Sequence, residues 1–119
     1  MSPTIVLKDS KVFLILGSPG GSRIITSVVN VIINVIDHKM TLRDAVFAPR
    51  IHHQWHPDIL NLDKNGFSQK IKVKLQNMGH TIKESPYGIG NISAIMVNDE
   101  TGEITGITDP RRGGRPAGY

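Results

Sequence analysis

The chain has 119 residues, of which 39% are hydrophobic and 20% charged, and it carries a net charge of +4. That size and balance predict one domain, residues 1–119, with enough core to bury about two-thirds of its unfolded surface, and they exclude a disordered or collagen-like chain. With no cysteine, disulfides, thiol catalysis and cysteine-ligated metal centres are excluded as well.

Residues 4–8 and 12–17 are apolar and β-branched around Asp9-Ser10, which predicts a strand hairpin. Gly17-Ser18-Pro19-Gly20-Gly21-Ser22 then makes a tight turn. Beyond it Arg23, Thr26, Ser27, Asn30, Asn34 and Asp37 recur every three or four residues, a helical period that outweighs the poor helix propensity of the valines and isoleucines between them. The polar stripe is narrow, so most of this helix should be buried. Its polar residues also break the greasiest stretch of the chain, residues 24–36, well short of the roughly eighteen apolar residues a membrane span requires.

A short second helix is expected over 41–47, with Thr41 as N-cap, Asp44 at the third helical position and Pro49 as the stop. Short strands follow at 51–55 and 59–62 around Pro57-Asp58. Residues 68–78 read as an amphipathic helix capped by Ser68 and ended by Gly79. A strand at 81–83 precedes a hairpin of 92–97 with 104–107 around Asn98-Asp99-Glu100-Thr101-Gly102. Residues 109–119 form an irregular tail. The order β-β-α-α-β-β-α-β-β-β fits an α+β layered fold, helices packed on a largely antiparallel sheet.

The strand–turn–helix at 16–23 is the most informative chemical feature. A helix start leaves backbone N–H groups unpaired and carries partial positive charge, and glycines let a ligand approach that backbone. Gly20 and Gly21 are therefore placed to cradle an anion or a developing oxyanion. The segment lacks the pattern of a phosphate-binding P-loop or of a dinucleotide fingerprint.

His52, His53 and His56 invite a metal reading, but Pro49 and Pro57 bracket an extended segment in which His52 and His56 stand about 13 Å apart. They are expected to be structural, and neither a metal nor a cofactor is expected. His38 and His80 are isolated and expected to be solvated. Arg111-Arg112-Gly113-Gly114-Arg115 is a single RGG-like copy, best explained as a solvated or carboxylate-paired tail. Asp44, Asp58, Asp63 and Asp109 form no local pair suited to acid–base work. Met1-Ser-Pro-Thr4 lacks the basic start of a signal peptide, and the compartment is left open.

At Gly17-Ser-Pro-Gly-Gly-Ser-Arg-Ile-Ile-Thr26 the chain resembles the γ-glutamyltransferase (γ-glutamyltranspeptidase, glutathione hydrolase) family. The resemblance runs from Met1-Ser-Pro-Thr4 through Asp44-Ala-Val-Phe-Ala-Pro-Arg-Ile-His-His-Gln-Trp55 and Ser93-Ala-Ile-Met-Val97 to Asp109-Pro-Arg111 and Gly118-Tyr119. It implies the C-terminal part of a small subunit, hence a partial N-terminal-nucleophile-hydrolase-like layered fold. In such enzymes an N-terminal threonine attacks a γ-glutamyl amide, and the acyl group passes to water or to an amino acid. On matching positions Gly20 and Gly21 resemble the oxyanion-hole glycines.

None of the threonines at 4, 26, 41, 81, 101, 105 and 108 stands before the Thr-His or Ser-His pair that the family nucleophile leads one to expect. The resemblance thus predicts a truncated homologue, inactive alone, that keeps the oxyanion turn. A second expectation is a separately encoded complementary subunit that restores activity on γ-glutamyl compounds such as glutathione. A third is a basic module that binds acidic polymers through its arginine tail, although neither nucleic acid nor a membrane is the expected partner. Removing layers from a sandwich leaves sheet edges and apolar faces open, which predicts a homo-oligomer if no complementary subunit binds.

Overall fold

The computed structural model describes residues 3–117. Strand β1 (Thr4–Lys8) turns through Asp9 and Ser10, both at positive φ, into β2 (Lys11–Gly17). Helix α1 (Arg23–Ile36) follows the glycine turn, and α2 (Leu42–Phe47) follows a cap in which the Thr41 hydroxyl accepts the Asp44 N–H. Next come β3 (Ile51–His52), β4 (Leu60–Asp63) and α3 (Gln69–Asn77), the last capped by Ser68 accepting the Ile71 N–H. Strands β5 (Ile82–Ser85), β6 (Ser93–Val97) and β7 (Ile104–Thr108) complete the order read from the sequence.

The strands divide between two sheets. Antiparallel β1-β2-β6-β7 forms the larger one, and β3-β4-β5 the smaller, in which β4 and β5 run parallel. The expected strand at 81–83 begins one residue later and ends two later, because Leu60 pairs with Ile82 and the ladder then runs to Asp63 opposite Ser85. The expected strand at 51–55 stops at His52, where the chain breaks into a turn with Trp55 at φ 71°.

Strand alternation sorts the large sheet into two faces. Leu14, Leu16 and Ala94 point to one side, where they meet Val28, Val31, Val35, Leu42, Ala45 and Val46 of α1 and α2 in the main core. On the other side Ile5, Ile15, Ile95 and Gly106 stand in register across all four strands. Among the described residues no helix covers that row, and Ile5 is 60% and Ile104 70% exposed.

Helix α1 departs from expectation in an instructive way. Its polar residues face protein: Thr26 meets His52, Asn30 donates to the Ile51 carbonyl, and Asn34 donates to the Ala45 carbonyl. The side left outward is apolar, comprising Ile25, Val29, Ile33 and Ile36, with Ile25 73% exposed. Much of the circumference expected to be buried is therefore open, because the polar stripe is spent on α2 and β3.

Leu14 is fully buried between the sheet and α1, so Leu14→Ala leaves a cavity and lowers stability by about 2–5 kcal/mol. Urea denaturation of the two proteins, with an unchanged m-value and a lower midpoint for the variant, checks this.

Candidate functional site

Strand β2 runs out at Gly17 and the chain turns through buried Ser18 and exposed Pro19, Gly20 and Gly21 into α1. Gly20 sits at φ 141° and Gly21 at φ 57°, conformations that side-chain-bearing residues rarely adopt. The carbonyls of Gly20 and Gly21 accept the Arg23 and Ile24 N–H groups, each at 3.1 Å. Among the described residues, the N–H groups of Gly20 and Gly21 find no acceptor. Two exposed donors beside the positive end of α1 are suited to an anion or to charge developing on an oxygen.

The segment 85–92 lies against this turn. Asn91 N–H donates to Ser18 Oγ at 2.9 Å, and Ser18 Oγ donates to the Pro19 carbonyl at 2.7 Å. Gly90, at φ 73°, packs so closely that a Cβ there would fall 2.1 Å from Ser27 Oγ and 3.0 Å from Ser18 Oγ. Arg23 Nη1 donates to Ser85 Oγ at 3.0 Å and to the Gly88 carbonyl at 3.3 Å. The links from this segment to the turn and α1 are not visible in the sequence, because their partners stand more than sixty residues apart.

The histidines are dispersed by the fold. His52 is buried, with Nδ1 at 2.8 Å from Thr26 Oγ1 and Nε2 at 3.2 Å from Gln54 Oε1. His53 pairs with Asp58 at 2.9 Å, and its ring lies edge-on to His80, which is half-buried rather than solvated. His56 is exposed, and no group of three metal-ligating side chains converges among the described residues. The Thr26–His52 contact has the outline of a nucleophile and its base. Thr26 Oγ1, however, also donates to the Arg23 carbonyl, and buried His52 leaves no room for a substrate beside it.

Beneath the turn lies a charged cluster. Arg50 is fully buried; its Nη1 donates to Asp109 Oδ2 at 2.6 Å and to the Ile89 carbonyl at 2.9 Å, and its Nη2 donates to the Val46 carbonyl at 2.6 Å. Arg111 bridges Asp109 Oδ1 at 3.0 Å and Asp63 Oδ2, and its Nη2 also donates to the Ala48 carbonyl. Asp63 and Asp109 therefore share an arginine across the fold, although nothing near them in sequence pairs them. Arg111 is the carboxylate-paired part of the tail, whereas Arg112 and Arg115 are exposed. Burial weighs against the charged form of Asp109, but the Ile92 N–H, the Arg50 guanidinium and the Arg111 N–H outweigh it and hold its carboxyl below the ordinary 3.8.

A family model described as Gamma-glutamyltranspeptidase matches residues 1–119. The chain belongs to the gamma-glutamyltranspeptidase family. It is 47% identical over 113 residues to the glutathione hydrolase proenzyme of Escherichia coli K12, an alignment covering 93% of this chain and 19% of that protein. Among solved structures, a mutant Helicobacter pylori gamma-glutamyltranspeptidase superposes with a TM-score of 0.89 at 52% identity, over 93% of this chain and 60% of that one. The Pseudomonas nitroreducens gamma-glutamyltranspeptidase complexed with L-DON gives 0.86 at 41% identity, over 100% of this chain and 61% of that one. The fold is accordingly the α+β, N-terminal-nucleophile-hydrolase-like layering of that family, and the chain spans about a fifth of the length of its E. coli relative.

The cluster has a pH signature. A carboxyl whose folded pKa lies below its unfolded value contributes fully above the unfolded value and loses that contribution as pH falls through the folded one. The stability supplied by Asp109 is therefore intact above pH 3.8 and lost progressively below it. Asp109→Asn leaves the Arg50 guanidinium buried without its counter-charge and costs about 3–5 kcal/mol at neutral pH. Chemical denaturation of both proteins from pH 7 to pH 2.5 checks this, the gap narrowing at the acid end.

Proposed function

We propose that residues 1–119 form one domain corresponding to the C-terminal part of a gamma-glutamyltranspeptidase small subunit. In this reading Gly20 and Gly21 supply the oxyanion hole for γ-glutamyl transfer. The observation that carries it is the pair of exposed, acceptor-free N–H groups at the start of α1, within the stretch Gly17 to Thr26. Attack on a γ-glutamyl amide puts negative charge on the carbonyl oxygen, and two preorganised main-chain donors stabilise that charge more than they do the neutral amide.

These residues do not generate the oxyanion unaided. Among the described residues Thr26 is the threonine that meets a histidine, and its hydroxyl is also engaged with the Arg23 carbonyl beside the buried His52. As an isolated polypeptide the chain is therefore inactive. A second reading, in which it completes an active enzyme with a separate polypeptide, is favoured by the bare face of the large sheet. A groove of about 780 Å³ runs along that face, lined by Ile15, Ile95, Ile104 and Pro116. An apolar sheet face of this kind demands a second layer. Either the remainder of the sandwich or, in its absence, a second copy of this chain provides one.

A γ-glutamyl-anilide assay tests both readings. The pure chain is expected to release no anilide, whereas mixing it with a polypeptide supplying the remaining family segments is expected to give turnover. Gly20→Ala keeps the N–H but strains the φ of 141° that aims it, and is then expected to lower that turnover by up to about 10²–10³-fold, the scale of one misplaced oxyanion donor. Anilide release by the pure chain overturns the inactive reading. No turnover from a complex shown to assemble overturns the complementing one.

Without the complementary polypeptide the chain is expected to sediment as a dimer at micromolar concentration, through the row Ile5, Ile15 and Ile95. Ile95→Lys at the centre of the row is expected to return it to monomer. A monomeric wild-type chain would show that the face tolerates water.

A further inference from the structure

We propose that Arg23 is the positioning residue of the Gly20–Gly21 turn, which it fixes by strapping α1 to segment 85–92. The proposal rests on the oxyanion-hole reading only for its meaning in catalysis. The turn lacks the usual means of holding a helix entry. Ser22 at the N-cap makes no side-chain cap bond, and the first turn of α1 contains no acidic residue. Two consecutive glycines are also intrinsically loose, so the direction of their N–H groups has to be imposed by something outside them.

Arg23 is electrostatically out of place by the ordinary rules. A cation in the first helical turn opposes the helix dipole, and among the described residues Arg23 makes no salt bridge to a carboxylate. Its guanidinium is held by neutral acceptors, Ser85 Oγ and the Gly88 carbonyl. Ser85 is itself buried and donates to the same Gly88 carbonyl at 3.0 Å. The knot thus joins the end of β5 to the first residue of α1. The strap continues along the chain, with the Gly90 backbone seated on Ser27 and Ser18 and the Asn91 N–H on Ser18 Oγ. Gly20 itself faces Gly90, whose Cα would lie 3.9 Å from a Cβ built on Gly20. The far side of the segment is anchored where Arg50 Nη1 grips the Ile89 carbonyl.

Arg23 therefore acts on the N–H pair through the backbone it pins, and its charge adds to the positive field in which those donors sit. Arg23→Met keeps the aliphatic stem and removes both hydrogen bonds and the charge. In the full 119-residue chain labelled with ¹⁵N, this variant is expected to shift the Gly20, Gly21, Gly90 and Asn91 amide resonances. It should also speed hydrogen exchange at the amides of residues 23 and 24, which donate to the Gly20 and Gly21 carbonyls, at least tenfold, leaving Leu14, Val31 and Leu62 unchanged. Titration with sodium acetate, matched against sodium chloride, is expected to move the Gly20 and Gly21 amides of the wild type saturably, with at least fivefold weaker apparent affinity in Arg23→Met. Arg23→Lys, which restores one donor and the charge, is expected to fall between the two, and Ser85→Ala to give a smaller change in the same amides.

Gly20 and Gly21 resonances in Arg23→Met that coincide with those of the wild type overturn the proposal. So do changes spread evenly over core and turn, which would mark Arg23 as merely stabilising. If Arg23→Met does not fold, Arg23→Lys and Ser85→Ala decide by the same criterion. Localised changes in the turn, combined with a complemented enzyme whose turnover ignores Gly20→Ala, would leave the positioning role standing and remove the oxyanion-hole reading.

Discussion

The buried contact between Arg50 and Asp109 is the constraint on which the remaining geometry depends. Arg50 follows α2, and Asp109 follows β7, so their 2.6 Å contact joins segments 59 residues apart. Each partner then distributes that position. Asp109 accepts the Ile92 N–H, which fixes the approach to β6, while Arg50 holds the Ile89 carbonyl in the segment that backs the glycine turn. Arg111 extends the cluster to Asp63 at the end of β4 and so ties the small sheet to the large one. A buried ion pair is poor evidence of net stability, because desolvation consumes most of the attraction. Its value here is directional: an arginine fork and a carboxylate accept few alternative geometries, and apolar packing of equal volume would allow many.

What the sequence disclosed follows from the range of the interactions involved. The two hairpins, the Thr41 and Ser68 caps and the glycine turn are local, each written in a short run of consecutive residues, and each forms where the residues indicate. The polar period of α1 marks a helix just as well, but periodicity cannot say whether a polar stripe faces water or protein. Asn30 and Asn34 serve carbonyls of the neighbouring segments, so the helix turns its isoleucines outward. Segment 51–55 failed as a full strand because β4 pairs with only Ile51 and His52 before the chain reverses. The charged cluster and the Arg23 strap carry no sequence signal beyond the residue types themselves. A lone arginine in a helix start, or an Asp-Pro-Arg in a tail, acquires a partner only when the fold closes.

The geometry of the glycine turn is set by residues of this chain alone. Main-chain donors depend on backbone direction, and the backbone of the glycine turn is fixed from within these residues: by the end of β2, by the first turn of α1 and by segment 85–92. No side chain from outside is required to aim them. A nucleophile is different, since it must be aimed along with its base and its substrate. In the proposed reading the turn supplies the donors and the remaining family segments supply the attacking group. On that reading, docking of the remainder against Ile5, Ile15 and Ile95 would bury the apolar row and bring the nucleophile towards the turn in one event, so that assembly and completion of the site would be the same step.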